Sequence, residues 1–417
     1  MNATVEEKKN TKQAKVENNL KPLYARSVVN SFSSGMVSPF TGAYAVRLGA
    51  SSSDMGWFQS STNLSNNLMQ VFWGRLSDRT KRRIPYIAFG TMVLSLLWIP
   101  MIFVVNSTQL IVLLVVQALV GSMATPAWTA LLGDLVPSSK LGRANASMNI
   151  WASVGSVAAT MGSGVIMFAV GGSIHQLILI PLVVAAISGI ASSLIVIKIS
   201  EKKNGEKLNL RENFTDMARI ISQVRKSPRF VRYCYVDGVV QFFMSISWPL
   251  FTITQISVMN ASMLQLALLA VGQTVVQIVF QGWAGRLADS LGRRPLLILF
   301  RFGLLTVPLA YALAPSIDSL IVASLFWGLI NALGSASQTA YLLDTSPEEN
   351  RGSFIAVYNL IVGLITFVGS LVGGYLAAFT IGLFGLIFGL QIVYLVSIVG
   401  RGIGAALHFK VEETLKK

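Results

Sequence analysis

The 417-residue chain is poor in cysteine, histidine and charge, and each shortage excludes a class of protein. Cys234 is the only cysteine, so no disulfide closes within the chain and no cysteine-built metal site is expected. His175 and His408 are too few and too far apart in sequence to suggest zinc. No Gly-x-x-x-x-Gly-Lys-Ser/Thr loop is present, which argues against ATP as a driving force. No nucleophile–base pair or metal constellation points to an enzyme, and no cofactor is implied. Residues 1–22 carry Lys8, Lys9, Lys12, Lys15 and Lys21 but no short apolar core, so they read as a cytoplasmic tail rather than a cleaved signal.

Only 12% of the residues are charged while 53% are hydrophobic, and the mean hydropathy is +0.62. A soluble domain has roughly 25% charged residues, so most of this surface does not face water. A helix crosses the hydrocarbon core with about 20 apolar residues. Apolar stretches between charged or Gly/Pro/Asn/Ser breaks predict twelve such helices, at 24–46, 54–75, 84–105, 109–135, 144–169 and 175–199, then 231–257, 262–285, 295–314, 317–343, 353–378 and 381–408.

Lys and Arg gather on one set of connections: Arg75, Arg79 and Lys81 to Arg83; Lys140 and Arg143; Arg286, Arg293 and Arg294; Arg351. The opposite loops, near 47–53, 106–108, 170–174, 258–261, 315–316 and 379–380, show only Arg47. Basic loops stay in the cytosol, so both termini are expected inside the cell membrane. The net charge of +15 is thereby a topology signal and not a nucleic-acid footprint. Between the halves, Leu210, Phe214, Met217, Ile221 and Val224 recur at spacings of three and four, and Asn209 with Glu212 makes a capping box. This predicts a short amphipathic helix on the inner membrane surface.

An internal repeat organises the rest. Gly74-Arg-Leu-Ser-Asp78 returns as Gly285-Arg-Leu-Ala-Asp289 at an offset of 211, with Arg82 and Arg83 returning as Arg293 and Arg294. Pro39 and Pro249, Pro85 and Pro295, Asp134 and Asp344, Pro137 and Pro347, and Asn149 and Asn359 pair at 210. A collinear series through five segments implies two six-helix halves in parallel orientation, related by an axis along the membrane normal. The predicted organisation is a tail at 1–22, bundles at 23–200 and 230–409, a linker at 201–229 and a tail at 410–417.

The Gly74–Arg83 and Gly285–Arg294 segments resemble the signature loop between helices 2 and 3 of the major facilitator superfamily, the second copy more completely. Lys81 stands where the first copy would carry the second glycine. Asp134-Leu-Val-Pro137 and Asp344-Thr-Ser-Pro347 resemble that family's helix 4 and helix 10 exits. The resemblance covers roughly residues 24–409. It implies an inner-mouth charge network of Asp78, Arg82 and Asp134 in one half and Asp289, Arg293 and Asp344 in the other, parting as the halves rock. Two efflux signatures are incomplete: Gln117 precedes Gly121 where drug–proton antiporters place an arginine, and the Gly155–Gly164 stretch lacks their proline. Its small residues still permit close helix packing.

In this fold the first helix of each three-helix unit is expected to line a central cavity. Polar stripes suit that: Asn30, Ser34 and Ser38 on helix 1, Gln117 on helix 4, Gln241, Ser245 and Trp248 on helix 7, and Asn331 and Gln338 on helix 10. Amides are costly in hydrocarbon, so the stripes face either a wet cavity or each other. Trp128, Trp151 and Trp248 are available for stacking. Charge within the membrane is a functional candidate by default. Asp237 is either a proton-coupling carboxylate or a static counter-ion to an arginine. Arg26 lies one position from its repeat equivalent, while Arg301 and Arg401 are expected to snorkel toward the inner surface. The expected function is secondary transport of a small, neutral or weakly charged organic solute by alternating access, with protons as a possible second partner. The protein is expected to act as a monomer. The alternative is a membrane sensor or assembly partner of the same fold that binds a ligand without net transport.

Overall fold

The computed structural model describes residues 21–80, 82–136, 138–199, 222–347 and 351–415. It is all helix among these residues. The predicted amphipathic helix over Leu210–Ile221 and the Asn209–Glu212 capping box lie outside them.

The first half runs α1 (21–37), a 3-10 turn at Ser38–Phe40, α2 (Thr41–Arg47), α3 (Ser52–Thr80), α4 (Ile84–Leu96), α5 (Ser107–Gly121), α6 (Ala124–Leu135), α7 (Ser138–Val170) and α8 (Ile174–Ile197). After a short helical turn α9 (222–225) come α10 (Pro228–Ile253), α11 (Met263–Leu291), α12 (Arg293–Gly303), α13 (Thr306–Leu313), α14 (Ile317–Thr345), α15 (Arg351–Phe384) and α16 (Leu386–Leu407). Ten stretches among the described residues are long and apolar enough to cross a membrane. The α1–α2 pair and the polar α3 bring the spans to twelve. Large apolar side chains point outward, among them Phe103, Val105, Phe168, Leu313 and Phe388. That is the inverse of a water-soluble surface and fits a lipid-facing one.

The helix breaks have local causes. Pro39 lacks the N–H that would continue α1, and the chain tightens into a 3-10 turn before α2. Its repeat partner Pro249 sits inside α10, which relaxes into a π turn at Thr254–Val258. Ser173 and Ser262 open α8 and α11 with capping boxes to Gln176 and Gln265. The break between the last two spans falls at Gly385, φ +78°, and not at 379–380. The surrounding sequence is apolar on both sides, so only the backbone requirement for glycine marks the turn.

The described residues divide into two compact units, one within 21–38, 69–103 and 116–199, the other within 39–68, 104–115 and 222–415. In the first, α1 crosses α7 so closely that a Cβ on Gly155 would lie 2.8 Å from the Val28 carbonyl oxygen. Thr160 and Ser163 donate to the Gly35 and Met36 carbonyls at 3.0 and 2.7 Å. In the second, α10 packs on α15 and α16, and α11 on α14. The second unit also holds α2 and the first half of α3 against α10 and α15, at the end away from the basic loops. A Cβ on Gly56 would stand 3.0 Å from the Gly374 Cα. Ser60 donates to the Phe367 carbonyl at 2.8 Å and Trp57 to the Tyr375 hydroxyl at 3.0 Å. Arg47 reaches the Ala261 carbonyl at 3.3 Å.

Candidate functional site

At about 1.5 Å per residue, the 29 residues of α11 span ~44 Å and outrun the ~30 Å hydrocarbon core. The last turn of α11 and the start of α12 therefore stand in the interface, where charge is solvated. There Arg293 Nε donates to Asp344 at 3.1 Å, its second terminal nitrogen lies 3.2 Å from Asp289, and its first donates to the Ala288 carbonyl at 2.8 Å. In the first unit the matching bond is made by Arg83, whose Nε lies 3.4 Å from Asp134 while its Nη1 donates to Ser77 at 2.9 Å. The pairing expected of Arg82 with Asp134 is thus formed by Arg83, and Arg82 is exposed. The reason is register: Arg83 and Arg293 are 210 apart, as are Asp134 and Asp344. The Asp78 side chain and Lys81 lie outside the described residues.

The C-terminal tail joins the second network. Glu413 accepts from the backbone N–H of Arg293 and Arg294 at 3.0 Å each, closing the start of α12 where the N-cap Gly292 has no side chain to do so. Thr414 donates to Asp344 at 2.9 Å, and Glu412 pairs with Arg229 and Arg232 at 2.7 and 3.0 Å. Gly292, the signature glycine, has φ +102°, and a Cβ there would meet the Glu413 carboxylate at 2.5 Å. Partial burial pushes the Glu413 carboxyl up, but the N–H groups of Leu415, Arg293, Arg294 and Thr414 outweigh it and hold the group below its ordinary 4.5.

Deeper in the second unit, Asp237 is fully buried on α10. It forms an ion pair with Arg301 of α12, accepts from Tyr358 of α15 at 2.7 Å and from Gln241 one turn on at 3.3 Å. Gln338 of α14 donates to the Tyr358 hydroxyl at 2.5 Å and accepts from Arg301 at 3.4 Å. His408 stands 3.9 Å from Asp237 and is held by the Gly404 carbonyl at 2.9 Å. Asp237, Gln241 and Gln338 are therefore brought together. Tyr358 carried no sequence signal beyond its repeat position. The snorkelling expected of Arg301 and Arg401 does not occur, since each is 1% exposed. Arg401 is instead wrapped by Ser397, the Leu304 and Met244 carbonyls and Ser247.

The other predicted cavity residues lie on α1, α5, α10 and α14 and in the turn after α1. Asn30 and Ser34 are half-buried on α1, and Ser38 lies in the 3-10 turn. Gln117 is buried and donates to the Leu94 carbonyl at 3.3 Å. Ser245 donates to the Phe242 carbonyl at 2.8 Å, Asn331 to the Trp327 carbonyl at 2.8 Å, and Trp248 is half-buried.

Twelve spans, a two-fold repeat and charge clusters at equivalent ends of the two halves define a secondary-transporter fold. The sequence matches the Major Facilitator Superfamily profile over residues 24–258 and 237–416, and the chain belongs to that family. It is 21% identical over 378 residues to an uncharacterized MFS-type transporter of Methanocaldococcus jannaschii, covering 89% of this chain and 91% of that one. It is 27% identical to the class B tetracycline resistance protein of Escherichia coli over 101 residues, 24% of this chain and 25% of the other. Among solved structures it is similar to the nucleoside transporter NupG, with a TM-score of 0.74 at 12% identity over 94% of this chain and 99% of the other. It is also similar to a D-xylose–proton symporter, with a TM-score of 0.69 at 14% identity over 96% and 98%. The protein is a multi-pass membrane carrier and not an enzyme.

Proposed function

We propose that this carrier moves a small organic solute across the cell membrane by alternating access, with both termini cytoplasmic. The bundles are taken as 23–200 and 230–409, joined by the linker at 201–229. One observation carries the reading: equivalent arginine–aspartate contacts, Arg83 with Asp134 and Arg293 with Asp344, stand at the basic end of each half. Basic loops alone would need the cations but not these carboxylates. Such contacts brace the loop end of each half as the two halves rock. The glycine-tight seam of α3 on α15 at the opposite end serves as the outer gate. Asp237 acts as the fixed counter-ion of Arg301, because four polar side chains already engage its immediate surroundings.

Counterflow in proteoliposomes across a small solute panel, with and without a pH gradient, tests this reading. Exchange of any solute by the wild type, lost in Arg293→Gln, supports it. A purified, folded protein that binds a ligand yet shows no counterflow would favour a sensor. Cysteine labelling that placed residues 76–83 outside the cell would overturn the orientation.

A further inference from the structure

The repeat brings the same positions together in both units but fills them with different chemistry. In the second unit, Asp237, Arg301 and Gln338 converge from α10, α12 and α14. An offset of 210 takes Arg301 to Thr91 and Gln338 to Trp128, and an offset of 211 takes Asp237 to Arg26. These counterparts also meet. The Arg26 guanidinium lies 4.1 Å from the Trp128 ring centroid, and its Nη2 is 3.5 Å from the Thr91 hydroxyl. The acid of one half is thus a base in the other, and the base that would answer it is a threonine.

Arg26 is consequently a buried cation without an anion. It is 5% exposed, its Nε has no hydrogen-bond partner, and it makes no ion pair among the described residues. The contrast with the other two buried arginines is chemical. Arg301 has Asp237, and all three nitrogens of Arg401 meet carbonyl or hydroxyl oxygens. A long bond to one hydroxyl and an aromatic face leave the Arg26 charge without a counter-ion and its buried Nε unmet, a costly state inside a membrane protein. A guanidinium stacked on a ring still presents its N–H groups in its own plane, in the fork that fits two oxygens of one anion.

We propose that Arg26, with Thr91 and Trp128, binds the anionic group of the transported solute, a carboxylate or phosphate on a small organic molecule. Arg26 supplies the charge and the paired donors. Trp128, partly exposed on α6, supplies the flat face along which the solute's organic body lies. One guanidinium forks onto one anionic group, so the solute class is a small organic anion with a single carboxylate or phosphate. The inference rests on the carrier reading above and narrows it.

The test uses matched probes, benzoate with benzamide and glycerol 3-phosphate with glycerol. Each is applied to the full chain in counterflow from phosphatidylcholine proteoliposomes and in thermal unfolding after purification. Benzoate or glycerol 3-phosphate is expected to exchange or to raise the melting temperature by about 2 °C or more, and its neutral partner is not. Arg26→Gln removes the response or weakens it about tenfold or more, while Arg26→Lys keeps part of it. Thr91→Asp places a carboxylate beside Arg26, so it raises the melting temperature without probe and abolishes the response to probe. That variant keeps the proposal testable should Arg26→Gln fold poorly.

The proposal is overturned if neither anion acts in either assay, or if the response survives Arg26→Gln unchanged. It is also overturned if phosphatidylglycerol alone gives an Arg26-dependent shift, which would assign the site to a lipid headgroup. An Arg26-dependent shift without exchange would sink the carrier reading and leave the site standing. Exchange of neutral solutes untouched by Arg26→Gln would do the reverse.

Discussion

Arg83 and Arg293 hold the same place in the two halves, each turning its Nε toward an aspartate at the exit of the fourth helix of its half, Asp134 or Asp344. The settings differ. Asp134 is 61% exposed and Asp344 32%, so water weakens the first pair more than the second. A double-mutant cycle of Arg83→Gln with Asp134→Asn should yield a coupling of about 0.5 kcal/mol, and one of Arg293→Gln with Asp344→Asn about 1 kcal/mol. Arg82→Gln combined with Asp134→Asn should be additive. Melting temperatures of the purified variants provide the measurement. Coupling found at Arg82 instead of Arg83 would refute the register.

Breaking the Asp237–Arg301 pair from one side should be severe. Asp237→Asn and Arg301→Gln each strand the remaining buried group, at a cost of about 3–5 kcal/mol. Asp237→Asn with Arg301→Gln together should be milder than the two single losses summed. Chemical unfolding in detergent reads this out. As a fixed counter-ion, Asp237 is not a coupling group, so whatever accumulation a pH gradient drives in the wild type should survive in any Asp237→Asn protein that folds. Its selective loss would make Asp237 a coupling group.

Gly292→Ala should destabilise the loop between α11 and α12 by about 1–3 kcal/mol, because φ +102° is open only to glycine. The added methyl also drives out the Glu413 carboxylate. Faster proteolysis of the C-terminal tail is the expected sign. An unchanged cleavage rate would show that the tail docks without Glu413.

The tail contact should depend on pH in a set direction. Glu413 is held below its ordinary 4.5, so its contribution is present above that value and lost as pH falls through its lower folded value. Wild type and Glu413→Gln should therefore differ in melting temperature at neutral pH and converge as acid protonates Glu413 in the folded state, below its ordinary 4.5. A gap that widened in acid would contradict the capping role.

Much of the fold was legible because hydropathy and the repeat act over long stretches. Ten of the spans follow from apolar runs, and the 210-residue offset predicted that Asp134 and Asp344 would match. The partner of Asp134 was misread by one residue, since the loop after Asp78 is one residue longer than its counterpart after Asp289 when measured to Arg83 and Arg293. The burial of Arg301 and Arg401 was not legible for a physical reason. In a helix apolar on every side, periodicity does not say which face meets protein and which meets lipid. Tyr358 was missed because a single tyrosine whose repeat position holds Met148 leaves no pattern, and Gly385 because no polar residue flanks the turn.

The seam between Gly56 and Gly374 has a consequence for motion. Where Gly56 meets Gly374 the two helices touch backbone to backbone, and no buried charge is stranded when they separate. The bonds that must exchange are few: the Ser60 hydroxyl with a carbonyl and the Trp57 indole with the Tyr375 hydroxyl. Both are neutral donors that water can satisfy at a net cost of about 1 kcal/mol each. A surface built this way behaves less like a lock than like two smooth plates, able to come apart and return many times along the same line.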